Sequence, residues 1–79
     1  MFSKPKPSEY LRRSLAGGGF ALDDLVSRHA GDPKYEDVIQ QILALSDKHA
    51  APEYPVGISN PAVKPELEAL ASKLEAEGR

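Results

Sequence analysis

Apolar residues recur along this chain at intervals of three and four, the spacing typical of amphipathic α-helices. The clearest series follows Asp32 and Pro33, which form an N-cap with proline at the first helical position. Its predicted apolar face comprises Tyr35, Val38, Ile39, Ile42 and Leu43, with Leu45 flanking it. Lys48 and His49 lie at the C-terminal end, and Pro52 prevents much continuation. We predict that this segment forms the central core helix.

Two further series predict helices on either side of it. One begins near Phe20 or Ala21 and ends near His29. Its predicted buried face comprises Leu22, Leu25, Val26 and His29. The other starts at Lys64-Pro65 and covers residues 65–77. This last helix is acidic, and we allow for its being semi-detached from the other helices. Its apolar stripe comprises Leu67, Leu70, Ala71 and Leu74, with Val63 extending the stripe by one turn.

The first part of the chain predicts an arm and a short helix. Pro5 and Pro7 favour an extended arm over residues 1–7, because proline restricts its own φ and disfavours helix in its predecessor. We expect Ser8 to cap a helix from Glu9 to Ala16 whose apolar stripe contains Leu11 and Leu15. Three consecutive glycines, residues 17–19, end this helix.

Residues 51–61 contain three prolines and a glycine, which is too many interruptions for a helix. The segment also carries Tyr54, Val56 and Ile58, so we expect an ordered loop that packs across the helices. Asn60 precedes Pro61 and is a candidate cap for a short turn. The expected architecture is all-α: one small domain over residues 1–79, with about four short helices joined by glycine- and proline-rich loops.

Composition narrows the class of protein further. The chain has 79 residues and no cysteine, which excludes disulfides and thiolate zinc sites. Residues 1–16 carry four basic residues and one acidic residue, a net charge of +3. The remaining residues carry six basic and eleven acidic side chains, a net charge of −5. No apolar run approaches the roughly 20 residues of a membrane span, so we expect a cytoplasmic protein without membrane attachment.

Candidate catalytic and metal-binding residues are few. His29 and His49 are the two histidines, and no local pair of ligands supports a metal site around them. Ser27 and His29 are two residues apart and lie on different helix faces, whereas Ser46 and His49 have a workable spacing that occurs often by chance. We therefore expect no cofactor, no metal and no enzymatic activity.

The basic N-terminal part raises nucleic-acid binding as the alternative function. Lys4, Lys6, Arg12 and Arg13 could contact phosphates, and Tyr10 could stack on a base. The acidic residues that open the second and third predicted helices oppose this hypothesis, as does the low overall isoelectric point. The glycine run also departs from phosphate-binding loops, because no strand precedes it and no Gly-Lys-Ser/Thr follows it.

Protein–protein interaction is the function that the sequence favours. Aromatic side chains are common at binding hot spots, and several apolar residues lie outside the helical stripes. We expect Phe20 and Tyr35 to fill the core. The predicted partner-binding residues are Phe2, Tyr10, Arg12, Arg13 and Tyr54. The partner would be another protein or a second copy of the chain, and no segment carries a motif specific enough to indicate a family.

Overall fold

The computed structural model describes residues 5–79, and over that range it contains four α-helices and two short 3-10 turns. The helices are α1 (Pro7–Leu15), α2 (Ala21–His29), α3 (Pro33–Lys48) and α4 (Lys64–Ala76). The 3-10 turns, Gly57–Ser59 and Pro61–Val63, lie between α3 and α4. The predicted all-α fold of four short helices is confirmed. None of the helices described in residues 5–79 has the length and apolar character needed to cross a bilayer.

A single cluster of apolar side chains connects the four helices. Helix α1 packs against both α2 and α4, and α3 packs against α2 and the first 3-10 turn. The buried members of the cluster are Tyr10, Leu11, Leu22, Leu25, Tyr35, Val38, Ile39, Ile42, Val63, Leu67, Leu70, Ala71 and Leu74. Helix α4, for which the sequence allowed partial detachment, contributes four of these residues and packs along α1.

Helix α3 begins where the sequence predicts. The Asp32 carboxylate accepts a hydrogen bond from the Lys34 amide at 3.0 Å, so Asp32 is the N-cap. Four members of the predicted apolar face are buried, but Leu43 is 46% exposed, so its predicted place in the core is wrong. The reason is helical geometry, because each residue turns the side-chain direction by about 100°. Leu43 lies at the edge of the stripe that Ile42 occupies.

Helix α1 begins two residues earlier than predicted, and Ser8 is not its cap. Lys6 occupies the N-cap position without a side-chain hydrogen bond, and Pro7 is the first helical residue, where its missing N–H carries no penalty. The Ser8 side chain is buried instead, and its hydroxyl donates to the Arg79 carbonyl oxygen at 3.1 Å. The Ser8 amide donates to the same oxygen at 3.2 Å.

Helices α1 and α4 end in the same way, with a glycine in the left-handed region. Gly17 has φ +103° and Gly78 has φ +77°. After α1 the Gly18 amide donates to the Arg13 carbonyl at 2.8 Å, and after α4 the Arg79 amide donates to the Leu74 carbonyl at 2.8 Å. These six-residue closures are Schellman motifs, which satisfy carbonyls left free at a helix end.

The segment between α3 and α4 is held against the end of α3 by backbone contact. A Cβ atom on Gly57 would overlap the Ser46 carbonyl oxygen and would lie 2.7 Å from the His49 carbonyl carbon. The Asn60 side chain donates to the His49 carbonyl at 3.1 Å and accepts from the Ala62 amide at 3.0 Å, so it caps the second 3-10 turn. The segment is therefore an ordered connection with one position that requires glycine.

The core assignment of α3 is testable with two neighbouring residues. Ile42 is 3% exposed and Leu43 is 46% exposed. We expect Ile42→Ala to lower the free energy of unfolding by about 2–5 kcal/mol, because it removes buried methyl groups and leaves a cavity. Leu43→Ala, the matched control, should change it by less than about 1 kcal/mol. Urea denaturation of both variants measures the difference, and equal losses would contradict the assigned face.

The glycine requirement at position 57 is testable in the same way. We expect Gly57→Ala to destabilise the chain by more than about 2 kcal/mol, because the new methyl group must displace the segment from α3. Gly19→Ala is the control, since a Cβ there meets no atom within 4 Å. That variant should stay within about 0.5 kcal/mol of the parent. A thermal shift of similar size in the two variants would disprove the close approach at Gly57.

Candidate functional site

The structure does not bring the five predicted partner-binding residues together on one surface. Phe2 lies outside the described residues. Tyr10 is 1% exposed and belongs to the core, so it offers no exposed contact. Tyr54 is half-buried, and its backbone forms a small bridge with Ala51 that closes the turn after α3. Arg12 and Arg13 both belong to α1 but have different neighbours: Arg12 contacts α4, whereas Arg13 lies over the Tyr10 ring.

Tyr10 is buried because it belongs to an aromatic cluster that includes His29 and Tyr35. The Tyr10 hydroxyl and His29 Nε2 are hydrogen-bonded at 2.8 Å. The His29 ring stacks on Tyr35 with a centroid distance of 3.8 Å and meets Tyr10 edge-on at 5.4 Å. The Tyr35 hydroxyl donates to the Pro5 carbonyl at 2.8 Å, and burial raises the pKa of Tyr35. This cluster confirms Tyr35 as a core residue and gives both tyrosine hydroxyls a partner inside the fold.

Arg12 joins α1 to α4. Its guanidinium donates two hydrogen bonds to the Glu75 carboxylate, at 2.7 and 3.1 Å, and a third to the Ser72 hydroxyl at 3.2 Å. This paired, two-point geometry is the stronger form of an Arg–carboxylate contact. The hydrogen bonds from Arg12 lower the pKa of Glu75. Arg12 therefore has an intramolecular role in the structure.

The other basic residues of the N-terminal part that the structure describes, Lys6 and Arg13, are dispersed. Arg13 is exposed, and its guanidinium lies 5.8 Å from the centre of the Tyr10 ring. Lys6 lines a depression on another part of the surface together with Lys34 and Arg79. Arg79 in turn forms a two-point ion pair with Asp37 at 2.6 and 2.9 Å. The basic N-terminal part is thus partly neutralised and has no common face among the described residues.

The two histidines lie in different environments. His29 is in the core, whereas His49 is the C-cap residue of α3. The Nε2 atom of His49 contacts the Glu66 carboxylate. The same carboxylate accepts a hydrogen bond from the Lys48 ammonium group at 2.6 Å. Hydrogen bonds from Lys48 and His49 lower the pKa of Glu66. Among residues 5–79, no three histidine, aspartate or glutamate side chains are grouped closely enough to hold a metal ion.

The most exposed large apolar residue of the described chain is Phe20, which is 78% exposed. The prediction that Phe20 fills the core is therefore wrong. At about 100° per residue, Phe20 falls on the side of α2 opposite Leu25 and His29, which are buried. The helical periodicity that selected the buried face could have excluded Phe20 from it.

Local backbone structure holds Phe20 in place. The Schellman motif at the end of α1 closes with Gly18, whose carbonyl then accepts from the Ala21 amide at 3.1 Å. A Cβ on Gly18 would lie 2.8 Å from the Arg13 carbonyl oxygen, so this turn is tightly packed. Phe20 is the N-cap residue of α2, but its side chain forms no capping hydrogen bond. Its aromatic ring thus occupies a position that usually carries a small polar residue.

A groove of about 470 Å³ lies beside Phe20. Its lining residues are Ser14, Gly19, Phe20, Leu22, Asp23, Val56, Ile58 and Ser59. We call it the Phe20–Val56 groove. Val56, which is 59% exposed, contributes a second wall of the groove, and Ile58 packs partly against the core. Because Val56 precedes Gly57, the contact of Gly57 with α3 also positions this wall.

The groove combines exposed apolar side chains with a well-fixed backbone. Two exposed apolar side chains, Phe20 and Val56, stand on walls whose backbones are fixed by hydrogen bonds and close packing. Leu22 and Ile58 add further apolar lining, and Asp23 adds a carboxylate at the edge. Removing apolar surface of this kind from water contributes about 25 cal/mol per Å². The arrangement can therefore accept an apolar side chain of another molecule.

Comparison of the chain with known protein families, with curated proteins and with solved structures finds no match.

The carboxylate partners of Arg12, Arg79 and Lys48 predict how stability depends on pH. The pKa values of Glu75, Asp37 and Glu66 are lowered in the folded chain, so each carboxylate stabilises the fold above its unfolded pKa. This contribution is lost as the pH falls through the lower, folded pKa. We expect the free energy of unfolding to decrease on acidification below about pH 4.5.

The pair Glu75→Gln and Glu53→Gln tests this pH dependence. Glu75→Gln should destabilise the chain at pH 7, and its difference from the parent should shrink as the pH falls through the lowered pKa of Glu75, since the parent side chain then also becomes neutral. Glu53 is exposed and is the control, so its variant should follow the parent at every pH. Urea denaturation at several pH values measures both differences. A Glu75→Gln difference that did not change with pH would contradict a charged Arg12–Glu75 pair.

Proposed function

We propose that this chain is a small, non-catalytic, cytoplasmic protein-interaction module that binds a partner protein through the Phe20–Val56 groove. The observation that supports the proposal is the position of Phe20, a large aromatic side chain that is 78% exposed on a closely packed turn. The predicted contact residues Tyr10 and Arg12 are replaced in this proposal by Phe20 and Val56. Arg13 is retained, because it lies beside Phe20.

The rigidity of the groove favours binding. A partner-binding side chain loses conformational freedom when it is immobilised, and this loss costs about 0.5–1.5 kcal/mol for a flexible side chain. Phe20 has few rotatable bonds, and the backbone on both sides of it is already fixed by hydrogen bonds. Aromatic residues at the centre of an interface commonly dominate the binding energy. Phe20 is therefore the residue expected to contribute most.

The arrangement of serines and histidines supports a non-catalytic role. The Ser27 hydroxyl donates to the Asp23 carbonyl at 2.6 Å, while His29 is bonded to Tyr10 in the core. Ser27 and His29 therefore have separate partners. The groove itself is lined by two serines and one carboxylate, without a histidine or lysine beside them to act as a base.

The alternative function, nucleic-acid binding by the basic arm and first helix, has less support. Arg12 is engaged by the Glu75 carboxylate, and the Asp24 carboxylate lines the same depression as the exposed Arg13 side chain. These carboxylates would repel a phosphate backbone approaching that side of α1. Protein binding at the groove uses apolar side chains, among them Phe20 and Val56, as well as charged ones.

The test compares position 20 with position 43, a second exposed apolar site on a different helix. A photoreactive phenylalanine analogue is placed at each position, and the chain is irradiated in its native cells. We expect a defined protein adduct from position 20 that is absent from position 43. The proposal fails if position 20 gives no adduct of its own.

A quantitative measurement completes the test. The captured partner is purified, and its affinity is measured for the parent, Phe20→Ser and Leu43→Ser chains. We expect Phe20→Ser to weaken binding about 30-fold, which corresponds to about 2 kcal/mol, with folding unchanged by circular dichroism. Leu43→Ser should bind like the parent. Equal affinities for all three chains would disprove a role of Phe20.

A further inference from the structure

Charged side chains of both signs flank Phe20. On one side, Arg13 and Asp24 line a second depression of about 490 Å³ that also borders Phe20. On the other side, Asp23 lines the Phe20–Val56 groove. All three charged residues are exposed. Phe20 thus stands between two concave regions and carries a cation and two carboxylates around it.

These three charges have no ion-pair partner among residues 5–79. Several other charged groups are paired within the fold, for example Arg12 with Glu75 and Arg79 with Asp37, so those groups are less available to a second molecule. The surface around Phe20 therefore combines an exposed aromatic group, an adjacent groove and unpaired charges of opposite sign.

Self-association requires a surface that is complementary to itself. In a two-fold symmetric dimer both copies use the same surface as the interface. Each contact between two different residues therefore occurs twice. A protruding group then needs a cavity on the same surface, and a positive charge needs a negative one. The region around Phe20 has a protruding ring beside a groove and charges of both signs. A surface with charges of one sign would repel its own copy.

We propose that the partner bound at the Phe20–Val56 groove is a second copy of this chain. In the two-fold dimer, Phe20 of each copy occupies the groove of the other, and Arg13 of each copy faces the Asp23 and Asp24 carboxylates of the other. This inference rests on the proposed function, because it names the partner of the same surface. A small chain gains most from such a dimer, since its own core buries a limited area.

The size of the surface sets the expected affinity. A standard interface covers about 800 Å² on each partner, and the accessible surface of the described chain is 5165 Å². Large exposed apolar groups in this region comprise Phe20 and Val56. We therefore expect a reversible dimer that dissociates on dilution, with a dissociation constant on the order of micromolar.

Sedimentation equilibrium from about 1 µM to about 1 mM tests the self-association directly. We expect the parent and Leu43→Ser chains to change from monomer to dimer over this range. Phe20→Ser should weaken dimerisation at least 10-fold. A parent chain that is monomeric at the highest concentration overturns the inference, as does a Phe20→Ser chain that dimerises like the parent.

A charge exchange tests the geometry of the dimer. Arg13→Asp alone places like charges opposite each other, and so does the double variant Asp23→Arg/Asp24→Arg. We expect each variant alone to be monomeric. An equimolar mixture should form a heterodimer, because the carboxylate introduced at position 13 of one chain then faces the guanidinium groups introduced at positions 23 and 24 of the other. A mixture that remains monomeric overturns the proposed pairing, and recovery on mixing shows that both variants are folded.

The inference and the proposed function fail in different ways. If the parent chain is monomeric but position 20 cross-links to a different protein, the second-copy inference is wrong and the proposed function is supported. If the chain neither dimerises nor gives an adduct specific to position 20, both are wrong. An adduct with twice the mass of the chain, together with the charge-exchange result, supports both.

Discussion

The stack of aromatic rings formed by Tyr10, His29 and Tyr35 is the contact on which the arrangement of the first three helices depends. It takes one residue from each of α1, α2 and α3. Helix α2 is short and contributes two further residues, Leu22 and Leu25, to the buried cluster. The imidazole of His29, the last residue of α2, therefore contributes much of the contact that fixes the direction of this helix. Since Phe20 stands at the other end of α2, the stack also determines where that side chain points.

Close backbone contact has a comparable effect on the other wall of the groove. Gly57 meets the end of α3 without room for a side chain, and Asn60 bonds to the carbonyl of His49. Val56 is exposed, and its position is fixed because the next residue, Gly57, packs against α3. Both walls of the groove take their positions from contacts made elsewhere in the fold. A change at His29 or Gly57 would alter the groove without touching its lining.

Helical periodicity and capping residues account for most of the fold. The buried faces of α2, α3 and α4 and the Asp32 cap follow directly from residue spacing. The buried positions of Ser8 and Tyr10 could not be predicted from spacing, because their partners, Arg79 and His29, are distant in the chain. The requirement for glycine at position 57 also arises from tertiary contact. Phe20 is different, since its position outside the buried stripe was readable in the sequence.

The packing of α1 against α4 has a consequence for how the chain is made. These helices lie on either side of α2 and α3 in the sequence, and Leu11 and Leu74 belong to the same buried cluster. During synthesis α1 leaves the ribosome before α4, and its apolar stripe lacks its main cover until α4 has emerged. The nascent chain thus exposes part of its future core until α4 has left the ribosome. Slow codons placed before α4 would prolong this exposure and increase the need for chaperones.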